Sequence, residues 1–424
     1  MKNKLIPFLN ARFLDRSLWT RNFSLATVGR LFSAMGGVAL YAALDVFVFA
    51  ETRDTFLSAL LIVVGVLPNV VMPLVIGPFV DTHNPLKLLL RNLFCLAVVY
   101  FLTAGATVLL GFQYWLYLAF AFVTGTLSAF SQILLDTITP QIVRRENLVK
   151  GNAINSILYP LSSIAVTPVA ILVYSRFGIT TLFISYGVLT LIDMALESFI
   201  RAEFHYNMRE AVYTFRQHMA DLGEGFRYLG KDPAVRSLAL FMATMSVSSA
   251  TWTLWIAEFS TRPDLGTARY AILLSINSAG YLLGGLIHYV IRIPDKRRYL
   301  IAVCVYFIYA TLDGGFLLMP FVMMCATRVI LGVLGANSAN IRMSALQNHL
   351  HNEIRGRING LMMIVGSLAE VPARLIVGWL GKFFPYWSLG MAVNLVYIAG
   401  TVFFVLPRKN KMREMYNYST VKAE

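Results

Sequence analysis

Two charged residues stand four positions apart inside the apolar run "LMMIVGSLAEVPARLIVGWLG" (361–381): Glu370 and Arg374, with Pro372 between them. At that spacing their side chains share one face of a helix. In the middle of a membrane each charge costs about 2.5–3.5 kcal/mol on an insertion scale. Pairing lowers the cost but seldom offsets it in full. The chemistry open to such a pair is proton exchange. A protonated Glu370 is cheap to bury and releases Arg374; an ionised one needs the arginine or a cationic ligand. Pro372 loosens the local backbone hydrogen bonding, which suits a helix that bends. The plainer reading is a salt bridge that only holds structure.

Other charges fall inside or near apolar runs. Arg30 either snorkels towards an interface or faces a cavity with a carboxylate partner. Asp45 reads either as an interfacial charge or as a proton site. Asp193 and Glu197 are also four apart; Asp193 is the deeper and a proton-site candidate, and Glu197 is expected at the interface. Asp136 is expected in a loop network with Arg144 and Arg145. Aromatic and methionine side chains at Phe32, Tyr41, Met245, Trp252, Trp255 and Tyr281 form a set suited to a large amphipathic substrate, although any one of them serves equally as core or lipid-facing surface.

The elements that must carry these residues are apolar runs of about 20 residues, the length of a helix that crosses a hydrocarbon core. Twelve are expected, at 22–49, 56–79, 87–110, 113–137, 152–174, 179–200, 236–257, 268–290, 299–317, 320–344, 358–381 and 387–406. The chain of 424 residues is 57% hydrophobic and 14% charged, against roughly 25% charged for an average soluble domain. It is therefore expected to be an all-α polytopic membrane protein. The net charge of +14 does not point to nucleic acid, because the basic residues sit in short loops between apolar runs. With the N-terminus inside, the inner loops and tail hold most of them, which places both termini in the cytoplasm. Cys95, Cys304 and Cys325 all fall within apolar runs, and the histidines show no ligand spacing, so no metal site or disulfide framework is expected. No nucleotide-binding loop is present and no cofactor is expected.

The chain divides at its longest polar stretch into a six-helix half at 1–200, a cytoplasmic central loop at 201–235, and a second six-helix half with a short tail at 236–424. "GTLSAFSQILLDTITPQIVRRE" from Gly125 aligns without gaps to "GVLGANSANIRMSALQNHLHNE" from Gly332, at the end of the fourth span of each half. Parallel six-helix repeats of this kind suit alternating access around a site near the midplane.

Three stretches carry a family resemblance: "DLGEGFRYLGKDPAVRSL" (221–238), "TPQIVRRENLVKGNAINS" (139–156) and "NEIRGRINGL" (352–361). Through them the chain resembles the major facilitator superfamily and, within it, the macrolide-efflux-like branch of drug:proton antiporters. The resemblance implies the twelve-helix major facilitator fold in a bacterial cytoplasmic (inner) membrane. It also implies gating roles for Gly77 and Asp81, retained in "GPFVDTHNPLK" after helix two, and for Pro168 in "AVTPVA" of helix five. Arg328 in "CATRVILG" is the implied counterpart of an arginine that such exporters carry in the other half. The function expected is secondary export of an amphipathic, drug-like or macrolide-like small molecule by proton antiport. The alternative is an uncoupled facilitator, or a lipid- or siderophore-type translocator, of the same fold with structural charges. No metal–carboxylate cluster or nucleophile motif supports an enzyme. The expected partners are the small-molecule substrate, protons and membrane lipid, and the protein is expected to be a monomer.

Overall fold

The computed structural model describes residues 18–81, 83–204, 215–290 and 293–417, and among them every regular element is helical. Nine helices among the described residues are long and apolar enough to cross a membrane. Their outward side chains are large and apolar: Leu109, Trp115, Val322 and Met363 are all more than 70% exposed. A soluble protein does not leave so many such groups in water. The chain is an all-α polytopic membrane protein.

The difference between nine helices and twelve expected spans has local causes. The spans expected at 152–174 and 179–200 run as one helix, Leu148–Ser198, broken at Gly178. There φ is 79°, a conformation that favours glycine and ends one helical course before the next begins. At 1.5 Å per residue its 51 residues give roughly 75 Å of helix, more than a single crossing uses. Arg298–Gly314 has 17 residues, and the shorter apolar helix at Thr55–Asn69 lies in the second expected span.

The chain forms two compact units. The first takes in the described residues of Met1–Phe47 and Val64–Phe215. It contains α1 (Arg21–Thr52, up to Phe47), the later part of α2 (Thr55–Asp81), α3 (Pro85–Leu110), α4 (Tyr114–Ile142) and α5 (Leu148–Ser198). Small residues let these helices approach closely. A Cβ on Gly125 of α4 would strike the carbonyl of Gly65 on α2, and one on Gly36 of α1 would strike the ring of Tyr186 on α5. Asn84 caps α3 by accepting from the Lys87 N–H, with Pro85 at the first helical position.

The second unit takes in Val48–Val63 and the described residues of Arg216–Glu424. It contains α6 (Phe215–Lys231), α7 (Pro233–Ser248), α8 (Thr251–Thr261), α9 (Gly266–Val290), α10 (Arg298–Gly314), α11 (Phe321–His349), α12 (Asn352–Leu380), α13 (Tyr386–Gly400) and α14 (Lys409–Tyr416). Its most extensive helix pair is α9 with α11. A Cβ on Gly332 would lie 2.7 Å from the backbone of Gly280, and one on Gly284 would lie 2.6 Å from the Val333 carbonyl oxygen. The start of α2 joins this unit through Thr55, whose hydroxyl donates to the Gly378 carbonyl at 2.5 Å. Phe241, Tyr306 and Tyr397 fill the core between α7, α10 and α13.

The expected seventh span is not one continuous helix. Between α7 and α8, Ser249 and Ala250 turn on short-range bonds to the Ser246 and Val247 carbonyls, both 3.1 Å. Such tightened turns mark a local departure from α geometry.

Candidate functional site

Residues of the first unit line a half-open cavity of about 510 Å³, within the range of small-molecule sites. Four ionisable side chains of opposite sign line it: Arg30 from α1, Asp136 from α4, and Asp193 and Glu197 from the second course of α5. Tyr41, Tyr159 and Tyr186 supply aromatic wall, and Gln132, Asn152 and Asn155 supply hydrogen-bonding groups. Asp193 is 3% and Glu197 1% exposed.

Among the described residues Arg30 forms no direct ion pair. Its Nη2 donates to the Leu135 carbonyl at 2.9 Å and to the Thr139 hydroxyl at 2.6 Å. Asp193 accepts from the Ser33 hydroxyl through Oδ2. Among the described residues no donor reaches Asp193 Oδ1 or Glu197 Oε2. Gly29 makes this placement possible, because a Cβ there would collide with Asp193 Oδ1 and press on Glu197. Asp136 accepts from Gln132 Nε2 at 2.9 Å. It lines the cavity; of the loop network expected for it, Arg144 lies 3.9 Å from Glu146, and the Arg145 side chain lies outside the described residues. Glu197, expected at the interface, is part of the same wall.

The second unit holds a different cluster. Arg328 on α11 is fully buried and donates from Nη2 to Asp313 of α10 at 2.6 Å. Asn394 of α13 donates to Asp313 Oδ2 at 3.0 Å, and the Thr251 hydroxyl, just past the break before α8, reaches it at 3.4 Å. The guanidinium lies 3.9 Å from the ring centre of Trp255 and 3.8 Å from that of Phe316. Stacking of this kind favours a weakly hydrated, planar cation. Trp252 stacks in turn on Trp255, centres 4.6 Å apart. Trp255 is therefore enclosed against the ion pair, and Met245 packs on the unit's core.

Glu370 and Arg374 do meet on α12, Oε1 to Nε 2.8 Å, with side chains 31% and 13% exposed. Pro372 is exposed between them, and Pro168 is half-buried inside α5. Tyr41 lines the first-unit cavity, its hydroxyl 3.5 Å from that of Thr124. Phe32 and Asp45 lie on α1, partly buried and outside the cavity lining; Tyr281 is 47% exposed on α9. The surroundings of Gly77 and the side chain of Asp81 lie outside what the structure describes. Sequence reasoning missed Asp313 and Asn394. The string "ATLDGG" held the signal, an acid near the end of an apolar run, but nothing along the chain linked it to Arg328.

No group of His, Cys, Asp and Glu among the described residues is arranged to hold a metal ion. The cavity brings together buried carboxylates, one arginine and a wall of mixed polarity.

Comparison with known proteins is consistent across the chain. The family model for the Major Facilitator Superfamily matches residues 26–312. An uncharacterised MFS-type transporter, YvqJ, of Bacillus subtilis (strain 168) is 25% identical over 64% of this chain, and the match spans 65% of that relative's length. Macrolide efflux protein A of Streptococcus pyogenes is 23% identical over 94% of this chain and 98% of its own. Among solved structures, the nucleoside transporter NupG matches with a TM-score of 0.68 at 12% identity, over 94% of this chain and 100% of that one. The inward-open xylose transporter XylE from E. coli matches with a TM-score of 0.62 at 15% identity, over 93% and 98%. These two carry the fold alone. A helical, multi-pass membrane chain whose family match covers well over half its length is a transporter, and it belongs to the Major Facilitator Superfamily.

Proposed function

We propose that the chain is a secondary active exporter that moves an amphipathic small molecule out of the cell by proton antiport and alternating access. The observation that carries this reading is the first-unit cavity with its two buried carboxylates, Asp193 and Glu197, one helical turn apart and without a direct ion pair among the described residues. Like charges at such spacing repel strongly where water is scarce, and a proton or a cationic ligand relieves them. That is the elementary requirement of a site that alternates between proton and substrate. The likeness to macrolide efflux protein A supports outward transport of a drug-like compound. The sequence has no nucleotide-binding loop, so the ion gradient is the energy source in this reading. In this reading both termini face the cytoplasm of a bacterial inner membrane, which the excess of basic residues in alternate loops supports.

In this account Glu370 and Arg374 form a second switchable pair, and Gly77, Asp81, Pro168 and Pro372 serve gating. The two halves, 1–200 and 236–424, alternate access around the site. A second reading has a specific observation behind it. Arg328 and Asp313, like Arg374 and Glu370, are direct ion pairs, and purely structural charges would suit an uncoupled facilitator.

The test uses purified protein in liposomes with an imposed pH gradient and a fluorescent amphipathic probe. Glu370→Gln and Asp193→Asn should each lose pH-driven uphill movement while keeping exchange of probe down its own gradient. Normal uphill movement by both variants would refute proton coupling through these groups. If Glu370→Gln loses uphill movement and exchange together, and Arg374→Gln restores both, that pair is structural.

A further inference from the structure

The buried charges of the second unit do not balance, and the excess falls on one residue of α11. We infer that Arg342, with the hydroxyls of Tyr306 and Tyr416, holds a small monovalent inorganic anion of the halide class. The site is separate from the first-unit cavity, and the inference does not rest on the direction or coupling of transport.

Arg342 is 8% exposed. Inside the apolar helices of this unit, the buried and half-buried acids already have partners. Asp313 pairs with Arg328, Glu370 with Arg374 and Glu258 with Arg262. Among the described residues no carboxylate pairs with Arg342. Its Nη1 donates to the Ser338 hydroxyl on the same helix at 3.4 Å, a long contact, and no acceptor among the described residues reaches Nε. An arginine does not shed its proton in a protein. A buried charge is therefore left to be matched, because leaving it isolated in apolar surroundings is costly.

The groups around this guanidinium supply donors. Apart from burial, its strongest electrostatic neighbours are Tyr306 of α10, Tyr416 of α14 and Tyr397 of α13. The Tyr306 and Tyr416 hydroxyls bond each other at 2.9 Å, which uses one of their two hydrogens. The second hydrogen calls for an acceptor, and an arginine has none to offer. One anion answers both the positive charge and the donors. A singly charged ion cancels the arginine, whereas a divalent one carries an unmatched charge into the core. Tyr306 and Tyr416 are each 1% exposed, and burial of all three residues selects a bare ion over a lipid headgroup. The exposed face of α14 carries Lys409, Lys411 and Arg413, a basic surface that concentrates anions near the site.

The internal repeat sharpens the contrast. Arg342 aligns with Leu135, whose carbonyl accepts from Arg30 in the first unit. That guanidinium shares its cavity with Asp136, Asp193 and Glu197. At the matching position of the second unit the guanidinium stands among phenols.

The test is thermal unfolding of the full-length protein in detergent, in sodium chloride, sodium bromide and sodium gluconate at equal ionic strength. Screening is then the same in all three salts, and an ion held by the folded state raises the midpoint by mass action. Chloride and bromide should each raise it saturably, by about 3 °C or more over gluconate. The protein should also broaden the chloride NMR line, and excess bromide should reverse the broadening. Arg342→Met should abolish both effects. Tyr416→Phe keeps the ring, removes a donor and should weaken the apparent chloride affinity at least threefold. Lys411→Gln should respond as wild type does. If Arg342→Met fails to fold, the wild-type salt comparison and Tyr416→Phe decide the matter. Equal wild-type midpoints in chloride and gluconate overturn the inference, as does an unchanged chloride response in folded Arg342→Met or in Tyr416→Phe. A response lost in Lys411→Gln but kept in Tyr416→Phe puts the ion on the surface and overturns it. Stabilisation in gluconate by added phosphatidylglycerol, not reproduced by chloride, assigns Arg342 to a lipid headgroup and overturns it too.

Discussion

Replacing Asp313 with alanine removes the acid at the centre of the second unit's buried cluster. Arg328 is 0% exposed, and its Nη2–Asp313 contact of 2.6 Å is its only hydrogen bond to a carboxylate among the described residues. Nε and Nη1 already lack partners there. The substitution therefore leaves a buried guanidinium with only the Trp255 and Phe316 faces for stabilisation, and also takes an acceptor from Asn394 and Thr251. Breaking a buried pair from one side costs roughly 3–5 kcal/mol; the two ring contacts, each worth about 2 kcal/mol or more when desolvated, are present before and after the substitution and do not offset it. Asp313→Ala should fall in that 3–5 kcal/mol range, roughly a hundredfold or more in the folding equilibrium. Arg328→Met with Asp313→Ala removes both charges and keeps an apolar side chain between the rings. This double variant should be more stable than Asp313→Ala alone, because buried pairs are often replaceable by apolar groups at little cost. The assay is denaturant unfolding in mixed micelles, with all variants checked for monodispersity. A loss below about 1 kcal/mol for Asp313→Ala, or a double variant equal to the sum of its singles, would refute the reasoning.

Close helix contact in the second unit gives a second prediction: Gly332→Ala drives a Cβ into the Gly280 and Tyr281 backbone at 2.7 Å and should cost roughly 1–3 kcal/mol. Gly285→Ala, one position beyond Gly284 on α9, meets nothing within 4 Å and should be neutral or slightly stabilising in the same unfolding assay. A third concerns Asp232, the N-cap of α7, which accepts from the Ala234 and Val235 N–H groups and from His349 Nε2 at 2.7 Å. Burial pushes its carboxyl up, but the His349 hydrogen bond, the Val235 and Ala234 N–H groups and the imidazole's charge outweigh burial and bring it from 3.8 down to about 2. Because the folded value is depressed, the stabilisation is complete above pH 3.8 and is lost as the pH falls through about 2. Wild type should therefore exceed Asp232→Asn in stability at pH 7, with the difference closing between pH 4 and pH 2; a pH-independent difference would contradict this.

The fold was legible because membrane helices declare themselves by length and apolarity, whatever they pack against. The breaks were less so. "RFGIT" reads as a loop between two spans, yet Gly178 alone makes the break between two helical courses. The discontinuity at Ser249 and Ala250 carries no glycine or proline, and the nearby Thr251–Asp313 contact is visible only in three dimensions. The same limit governs the sites. Glu370 and Arg374 could be paired from the sequence because four residues on a helix bring side chains together. Arg328 and Asp313 lie on separate helices, and Asp193 meets Ser33 from 160 positions away. Glu197 was placed at the interface because it lies late in its run; its burial depends on Gly29, whose missing side chain makes room for it.

Proton coupling is the central claim, and the most direct measurement of it needs no imposed gradient. Wild-type protein is reconstituted in liposomes containing a pH-sensitive dye, with the membrane potential clamped, and a probe the protein transports is added to one side. Antiport predicts that inward probe movement drives protons outward, so the lumen becomes alkaline, with the change abolished in Asp193→Asn. Probe entry with no change in lumenal pH would contradict the account and leave an uncoupled facilitator.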